Sequence, residues 1–280
     1  MIEKISIFAA DIDGTLVEKG GYLMPRTKAN MQRLHEEGVL IGIASGRPLD
    51  KAHTINKSAF WGLGFEFDFA IGMNGGDLWT KETDEIEHFY QLSAENVRKI
   101  VTFMMPIDCN IIIYEKAYDL IRARRVDDFI LMSQARNHSY VEYGGIDFLS
   151  ENATGKIEVQ CHPRYENLIK ETIAKNPSPD WTTMVTYRDE DHYTIEFMDP
   201  RIGKGLALEM YAKRRGIPLD EIIAFGDLEN DISLLKKAGW GVCLKNGSDE
   251  AKAVANDVTD YDVAADGVGR YLDDHWFRGR

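Results

Sequence analysis

The sequence predicts an α/β protein. A parallel sheet is assembled from the two ends of the chain, and an α+β domain is inserted between them. Three observations carry that reading. At both ends, apolar runs that stop at acidic or small residues alternate with helical patterns. In the middle, strand-like runs come in pairs. The 280 residues, 44% of them hydrophobic, suffice for one large core or two smaller ones.

The first strand is "KISIFAAD", an apolar run ending at Asp11. "PRTKANMQRLHEEG" reads as a helix, with Pro25 at its start and Gly38 as its stop. "VLIGIASG" is a second strand, "RPLDKAHTI" opens another helix, and "FDFAIGMNGG" is a third strand running into a glycine turn. From about Asp77 the pattern changes. "DLWT" pairs with "IEHFYQL", and "CNIIIYEK" with "YDLIRA". "SAENVRKIVTFMM" is a helix with Ser93 as its N-cap. "KIEVQCH" and "RYENLIKETIAKN" follow as strand and helix, and "TTMVTYRDEDHYTIEF" as a hairpin turning near Asp189 to Asp191. The alternation then returns: helix "GKGLALEMYAKRRG", strand "EIIAFGD", helix "NDISLLKKAG", strand "WGVCL", helix "SDEAKAVAN". The expected organisation is one core in two pieces, 1–78 and 200–280, with 79–199 inserted.

Composition excludes several classes. A net charge of −13 gives no bulk attraction for nucleic acid or an anionic membrane. Cys109, Cys161 and Cys243 are three widely spaced cysteines, without a CxxC pair, and fit a reducing compartment. No run reaches the roughly 18 apolar residues of a membrane span. "MIEKISIF" lacks the basic and apolar regions of a signal peptide. A cytoplasmic protein is expected. The seven histidines show no zinc-ligand spacing.

Ligands bind beyond the carboxyl ends of the strands in an open parallel sheet. Four such places are chemically marked: Asp11 and Asp13; Ser45, Gly46 and Arg47; Lys204, opening a helix; and Asp227, followed by Asn230 and Asp231. Four carboxylates in one crevice repel unless a cation joins them, and oxygen-only donors select a hard ion such as Mg²⁺. Lysine, a hydroxyl and backbone amides beside Gly14 and Gly46 suit a phosphoryl group. Residues i and i+2 of an extended chain share a side, so Asp11 and Asp13 can face one substrate. One can attack phosphorus while the other protonates the leaving oxygen. Gly14 lets the chain turn away, and Thr15 can hydrogen-bond locally.

In order, "DIDGT", "SGR", the lone lysine after the insertion and "GDLEND" resemble the four motifs of haloacid dehalogenase-like phosphatases. "MNGG" and "GWGVCLKNGSDEAKAVANDVT…DGVGRYL" resemble the Cof-type branch. That resemblance implies a Rossmann-like core with an inserted class IIB cap that closes over the crevice and reads the leaving group. It implies Asp11 as nucleophile and Mg²⁺ ligand, and Asp13 as general acid/base, lending the metal its carbonyl. Thr15, Ser45, Gly46, Arg47, Lys204 and Asn230 fall to phosphate or substrate binding, and Asp227 and Asp231 to the metal; for Arg47, capping of local structure is an equal alternative. The implied reaction is Mg²⁺-dependent hydrolysis of a small phosphorylated metabolite, a sugar phosphate first, through an aspartyl-phosphate. Lys245 departs from the small residue that relatives often carry there. The rivals are a phosphosugar mutase or phosphotransferase on the same core, and a non-catalytic sugar-phosphate sensor, against which Asp13 argues. Elsewhere blander readings are favoured. "RARR" (Arg122 to Arg125) reads as a solvated helix entry, Arg188 and His192 as hairpin residues, and Cys243, Trp61 and Trp240 as packing.

Overall fold

The computed structural model describes residues 2–18 and 21–279, the side chain at 136 excepted. It divides into two compact units. One runs to Glu87 and resumes at Gly203; the other is His88–Ile202.

The first segment contains β1 (Ile7–Ala10), α1 (Pro25–Glu36), β2 (Leu40–Ala44), α2 (Lys57–Phe60), β3 (Phe69–Gly72), β4 (Asp77–Thr80) and β5 (Ile86–His88). The middle segment contains α3 (Ala94–Met104), β6 (Asn110–Lys116), β7 (Leu120–Ala123), α4 (Asp128–Asn137), β8 (Tyr140–Tyr143) and α5 (Ile146–Leu149). It continues through β9 (Lys156–Cys161), α6 (Glu166–Lys175), β10 (Thr182–Arg188) and β11 (Tyr193–Met198). The last segment contains α7 (Lys204–Arg215), β12 (Ile222–Gly226), α8 (Ile232–Lys237), β13 (Trp240–Cys243), α9 (Asp249–Val254), β14 (Asp257–Val258) and α10 (Gly267–His275).

The first unit holds an eight-stranded sheet in the order β14-β13-β12-β1-β2-β3-β4-β5. Its pairs are parallel from β14 to β3, and β4 turns back antiparallel against β3. β1 is central. The chain leaves it for β2 on one side and returns as β12 on the other. A crevice therefore opens at the carboxyl ends of β1 and β12, the switch point where such sheets bind ligands. All four β1 residues are buried, because helices cover both sheet faces. Phe8 and Ala10 join Met31 and Leu34 of α1 and Val268 and Leu272 of α10 in one core. Across the sheet, Phe69 packs on Tyr211 of α7, ring centroids 4.2 Å apart.

β4 and β5 move the boundary of the insertion. Residues 79–87 extend the first sheet instead of opening the second unit. The strand pairing of "DLWT" is real, but a period of two does not say which sheet a strand joins. The helix expected to begin in "RPLDKAHTI" is present in two short pieces: one π-helical turn at Lys51–Ile55, capped by Asp50, and then α2.

The second unit holds a six-stranded sheet, β10-β11-β9-β6-β7-β8. Alternate residues Ile157, Val159, Ile195 and Phe197 pack against α3. "RARR" is not a helix entry, because Arg122 lies in β7 and its neighbours follow the strand. Arg122 pairs with Glu151 at 2.7 Å, Arg124 donates to the Ile107 and Cys109 carbonyls at 2.7 and 3.1 Å, and Arg125 pairs with Asp108 at 2.6 Å. Those charges are spent inside the unit. Arg188 pairs with Glu166, and His192 with Asp189 of its own hairpin. Cys243 and Trp61 are buried in the first unit, and Trp240 donates to the Tyr271 hydroxyl. No described helix is long and apolar enough to cross a membrane.

On its other face the second sheet buries an ionic cluster. Lys156 contacts Glu196 closely and lies 4.0 Å from Glu158, to which the Tyr114 hydroxyl donates at 3.3 Å. Glu158 sits directly opposite Glu196 across β9 and β11. Burial pushes the Glu158 carboxyl up to about 7, Lys156 pulls it down and the Glu196 charge adds to the rise. The folded state therefore holds this proton more tightly than the unfolded chain. Between the ordinary glutamate value of 4.5 and about 7, stability falls as pH rises. The loss is on the order of 3 kcal/mol at about 1.4 kcal/mol per pH unit. Glu158→Gln has no proton to lose, so its Tm declines less than the wild-type Tm between about pH 5 and pH 8. Parallel melting curves across that range would refute this.

Candidate active site

The site begins where β1 ends. Asp11 continues the ladder, its N–H donating to Phe225 O at 3.0 Å, so its side chain is held at the mouth of the sheet. The chain then turns sharply. Gly14 has φ +93°, and a β-carbon there would strike the Asp227 carboxylate. Both the left-handed backbone and the close approach require glycine. Thr15, 1% exposed, donates its hydroxyl to Asp227 Oδ1 at 2.8 Å. Thr15 thus supports an acid rather than presenting an open donor to phosphate.

The end of β12 supplies the late acids. Asp227 follows the strand directly. Asp231 reaches back four residues, its Oδ2 accepting from the Asp227 and Leu228 amides at 2.9 and 3.1 Å. The spacing of "GDLEND" is therefore a loop closed by its own carboxylate. Lys204 opens α7 and is completely buried; its Nζ lies 2.6 Å from both Asp11 Oδ1 and Asp231 Oδ1. Gly75, at φ +105°, lets the turn after β3 pack onto the Gly203–Lys204 backbone that starts this helix.

Asp11, Asp227 and Asp231 each offer an oxygen within 4.8 Å of the others, the one such group among the described residues. Burial holds the Asp11 carboxyl well above the usual range, with Lys204 opposing and Asp231 and Asp227 adding to the rise. Burial also pushes Asp227 up to about 7, the Asp231 charge adding and the Thr15 hydroxyl opposing. Lys204 is pushed down by burial, but the Asp11 and Asp231 charges overcome this and hold it protonated. Were all three to ionise, they and the one ammonium would leave two negative charges, which one divalent cation would balance. The donors are all carboxylate oxygens, the set a hard cation takes. The residues present therefore fit Mg²⁺.

A second group lies at the ends of β2 and β3. Ser45 is buried, and its hydroxyl oxygen accepts the Arg47 N–H at 3.2 Å. Asn74, at φ 56°, donates its N–H to Ser45 O at 3.1 Å and accepts from Asn230 Nδ2 at 3.2 Å. Gly46 passes so close to Asn74 that a β-carbon would sit 2.8 Å from its Oδ1. Asn230 is thereby tied to the serine turn. The Arg47 guanidinium grips both oxygens of Asp13, Nε to Oδ2 at 2.8 Å and Nη2 to Oδ1 at 2.7 Å. Asp13 stands outside the buried triad, and the two acids of "DIDGT" face different cations.

Two residues that the motifs did not assign belong here. Asn74 joins the serine turn to Asn230, and Asn246 donates to Gly14 O at 2.8 Å. Their one signal was an Asn-Gly pair after a strand, which marks a turn and not a partner. Lys245 is exposed, with its N–H donating to Thr259 Oγ1.

The family model of the haloacid dehalogenase-like hydrolases matches residues 8–272. The chain belongs to that family. This haloacid dehalogenase-like hydrolase is 26% identical, over 99% of both chains, to a Bacillus subtilis protein named 5-amino-6-(5-phospho-D-ribitylamino)uracil phosphatase YitU. A second protein of that name, YcsE from the same organism, is 22% identical over 97% of this chain and 96% of its own. Among solved structures, the HAD subclass IIB sugar phosphatase BT4131 superposes with a TM-score of 0.79 at 22% identity, covering 96% of this chain and 98% of that one. The fold and the motif-based resemblance are borne out at the level of the family.

Proposed function

We propose that this hydrolase is a Mg²⁺-dependent phosphatase that cleaves a small phosphorylated metabolite through a phospho-Asp11 intermediate. One observation carries the reading. A fully buried lysine bridges Asp11 and Asp231 at 2.6 Å, beside a third acid within 4.8 Å. Such an arrangement costs too much desolvation to serve folding alone. Its charge deficit suits a metal and a phosphoryl group.

Asp11 keeps one oxygen on Lys204 and has a second with which to attack phosphorus. As the Asp11–phosphorus bond forms, the bond to the leaving oxygen breaks, and that oxygen takes its proton from Asp13. Water then attacks phosphorus and gives a proton back to Asp13, releasing phosphate and free Asp11. Lys204 neutralises charge on Asp11 throughout. Ser45 and the amides of its turn hold the phosphoryl oxygens, and Asn230 fixes that turn through Asn74. Asp11, Asp227 and the Asp13 carbonyl are assigned as metal ligands, with Asp231 supporting them, since its own oxygens already serve Lys204 and two amides. Bound Mg²⁺ supplies positive charge against the phosphoryl oxygens.

Choice of leaving group is assigned to the inserted unit. The names of the relatives, a phosphoribitylamino-uracil phosphatase and a sugar phosphatase, support a phosphorylated sugar or polyol. The test is phosphate release from a panel of sugar and polyol phosphates. Chelation should lower the rate by on the order of 10²-fold or more, and added Mg²⁺ should restore it. Hydroxylamine should trap an acyl phosphate on Asp11. Activity that survives chelation, or phosphate transfer to a second sugar hydroxyl in place of water, would overturn the reading.

A further inference from the structure

The two acids of "DIDGT" each have a cation of their own. Lys204 holds Asp11, and Arg47 holds Asp13. The second clamp has a geometry that the first lacks. Two nitrogens of one planar guanidinium meet the two oxygens of one carboxylate at 2.8 and 2.7 Å. Asp13 cannot turn about its last torsion without breaking both bonds. The fork uses one lone pair on each oxygen and leaves one on each for other partners.

Arg47 is itself anchored. Its N–H donates to Ser45 Oγ at 3.2 Å, and its carbonyl accepts from the Met73 N–H at 2.9 Å. Its position is therefore set by the turn that carries Ser45. The pair is partly open to water. Its side chains are 26% and 31% exposed, and ion pairs that open to water contribute about 0–1 kcal/mol.

We infer that Arg47 is a positioning residue for Asp13, locking its carboxyl plane in register with the Ser45 turn, and not a ligand of the transferring phosphoryl group. The inference rests on the proposed role of Asp13 as acid and base. Protonation of the leaving oxygen matters for an alkyl phosphate, whose alkoxide leaves poorly. It matters little for p-nitrophenyl phosphate, whose phenolate leaves without help. A residue acting through Asp13 affects the two substrates unequally, whereas a phosphoryl ligand affects them alike.

The experiment compares kcat/KM for an alkyl phosphate and for p-nitrophenyl phosphate in wild type, Asp13→Asn, Arg47→Met and Arg47→Lys. All are assayed with Mg²⁺, and thermal melts check the fold. Arg47→Met should lose on the order of 10²-fold on the alkyl ester and at least about tenfold less on the aryl ester, repeating the Asp13→Asn pattern in weaker form. It should also release a burst of p-nitrophenol, because a mis-set Asp13 is slow to activate the water that cleaves phospho-Asp11. Arg47→Lys should not rescue, since a single ammonium cannot grip both oxygens. Equal losses on both esters with a raised Ki for inorganic phosphate would overturn the inference, as would full rescue by lysine. Asp13→Asn without any leaving-group dependence would instead overturn the role of Asp13 on which the inference rests.

Discussion

Asp11→Asn should lower turnover by on the order of 10⁴- to 10⁶-fold, the scale seen when a covalent nucleophile is removed. The substitution keeps the size of the side chain and an oxygen that can accept from Lys204. It removes the anionic oxygen proposed to attack phosphorus. Stability should move the other way, or not at all. Asp11 is crowded by Asp227 and Asp231, and burial already disfavours its charge. Taking one negative charge out of that pocket relieves repulsion. The metal-free variant should therefore melt no lower than wild type. A dead enzyme with an unchanged melt assigns the loss to chemistry. Steady-state rates on p-nitrophenyl phosphate, hydroxylamine trapping and a thermal melt check the point. Activity within tenfold of wild type would remove Asp11 from the reaction.

Lys204→Met should damage fold and function together. Its Nζ is the shared counter-charge of Asp11 and Asp231, and neither the lysine nor Asp231 has measurable exposure. Breaking a buried pair from one side leaves uncompensated charge, at a cost of about 3–5 kcal/mol. In a chain of this size that lowers Tm by roughly 5–10 °C. Methionine fills much the same volume, so the loss reports charge and not a cavity. Excess Mg²⁺ should recover part of the Tm, since a cation can take over some of the neutralisation. It should not recover turnover, because Asp11 has lost its hydrogen-bonding partner. Melts with and without Mg²⁺ check both. An unchanged Tm would mean that the acids rearrange and that the lysine is no structural keystone.

The candidate carboxylates could be read from the chain because their signal is local. Asp11 and Asp227 close runs of apolar residues, and a parallel sheet presents such ends to ligand whatever lies around them. Asp231 was visible through its place just after Asp227 in "GDLEND", though not through the loop that it closes. Lys204 had no local mark; only its place in an ordered set of motifs singled it out. Partners were harder. Nothing near Thr15 in sequence says that its hydroxyl turns to Asp227, 212 positions away. The same holds for Asn74 with Asn230 and for Arg47 with Asp13. "RARR" misled because a run of charge looks solvated until opposing acids and carbonyls from other strands arrive. β4 and β5 misled because alternation shows that a strand exists, not which sheet it completes.

From its own residues the chain determined which elements form and where the clustered acids stand along them, since strand ends, caps and glycine turns are decided within a few neighbouring residues. Tertiary structure alone decided which cation serves which acid, which hydroxyl is already committed, and where one sheet stops and the next begins. Those outcomes depend on distances between segments that are remote in sequence, and such distances exist only once the sheets have closed.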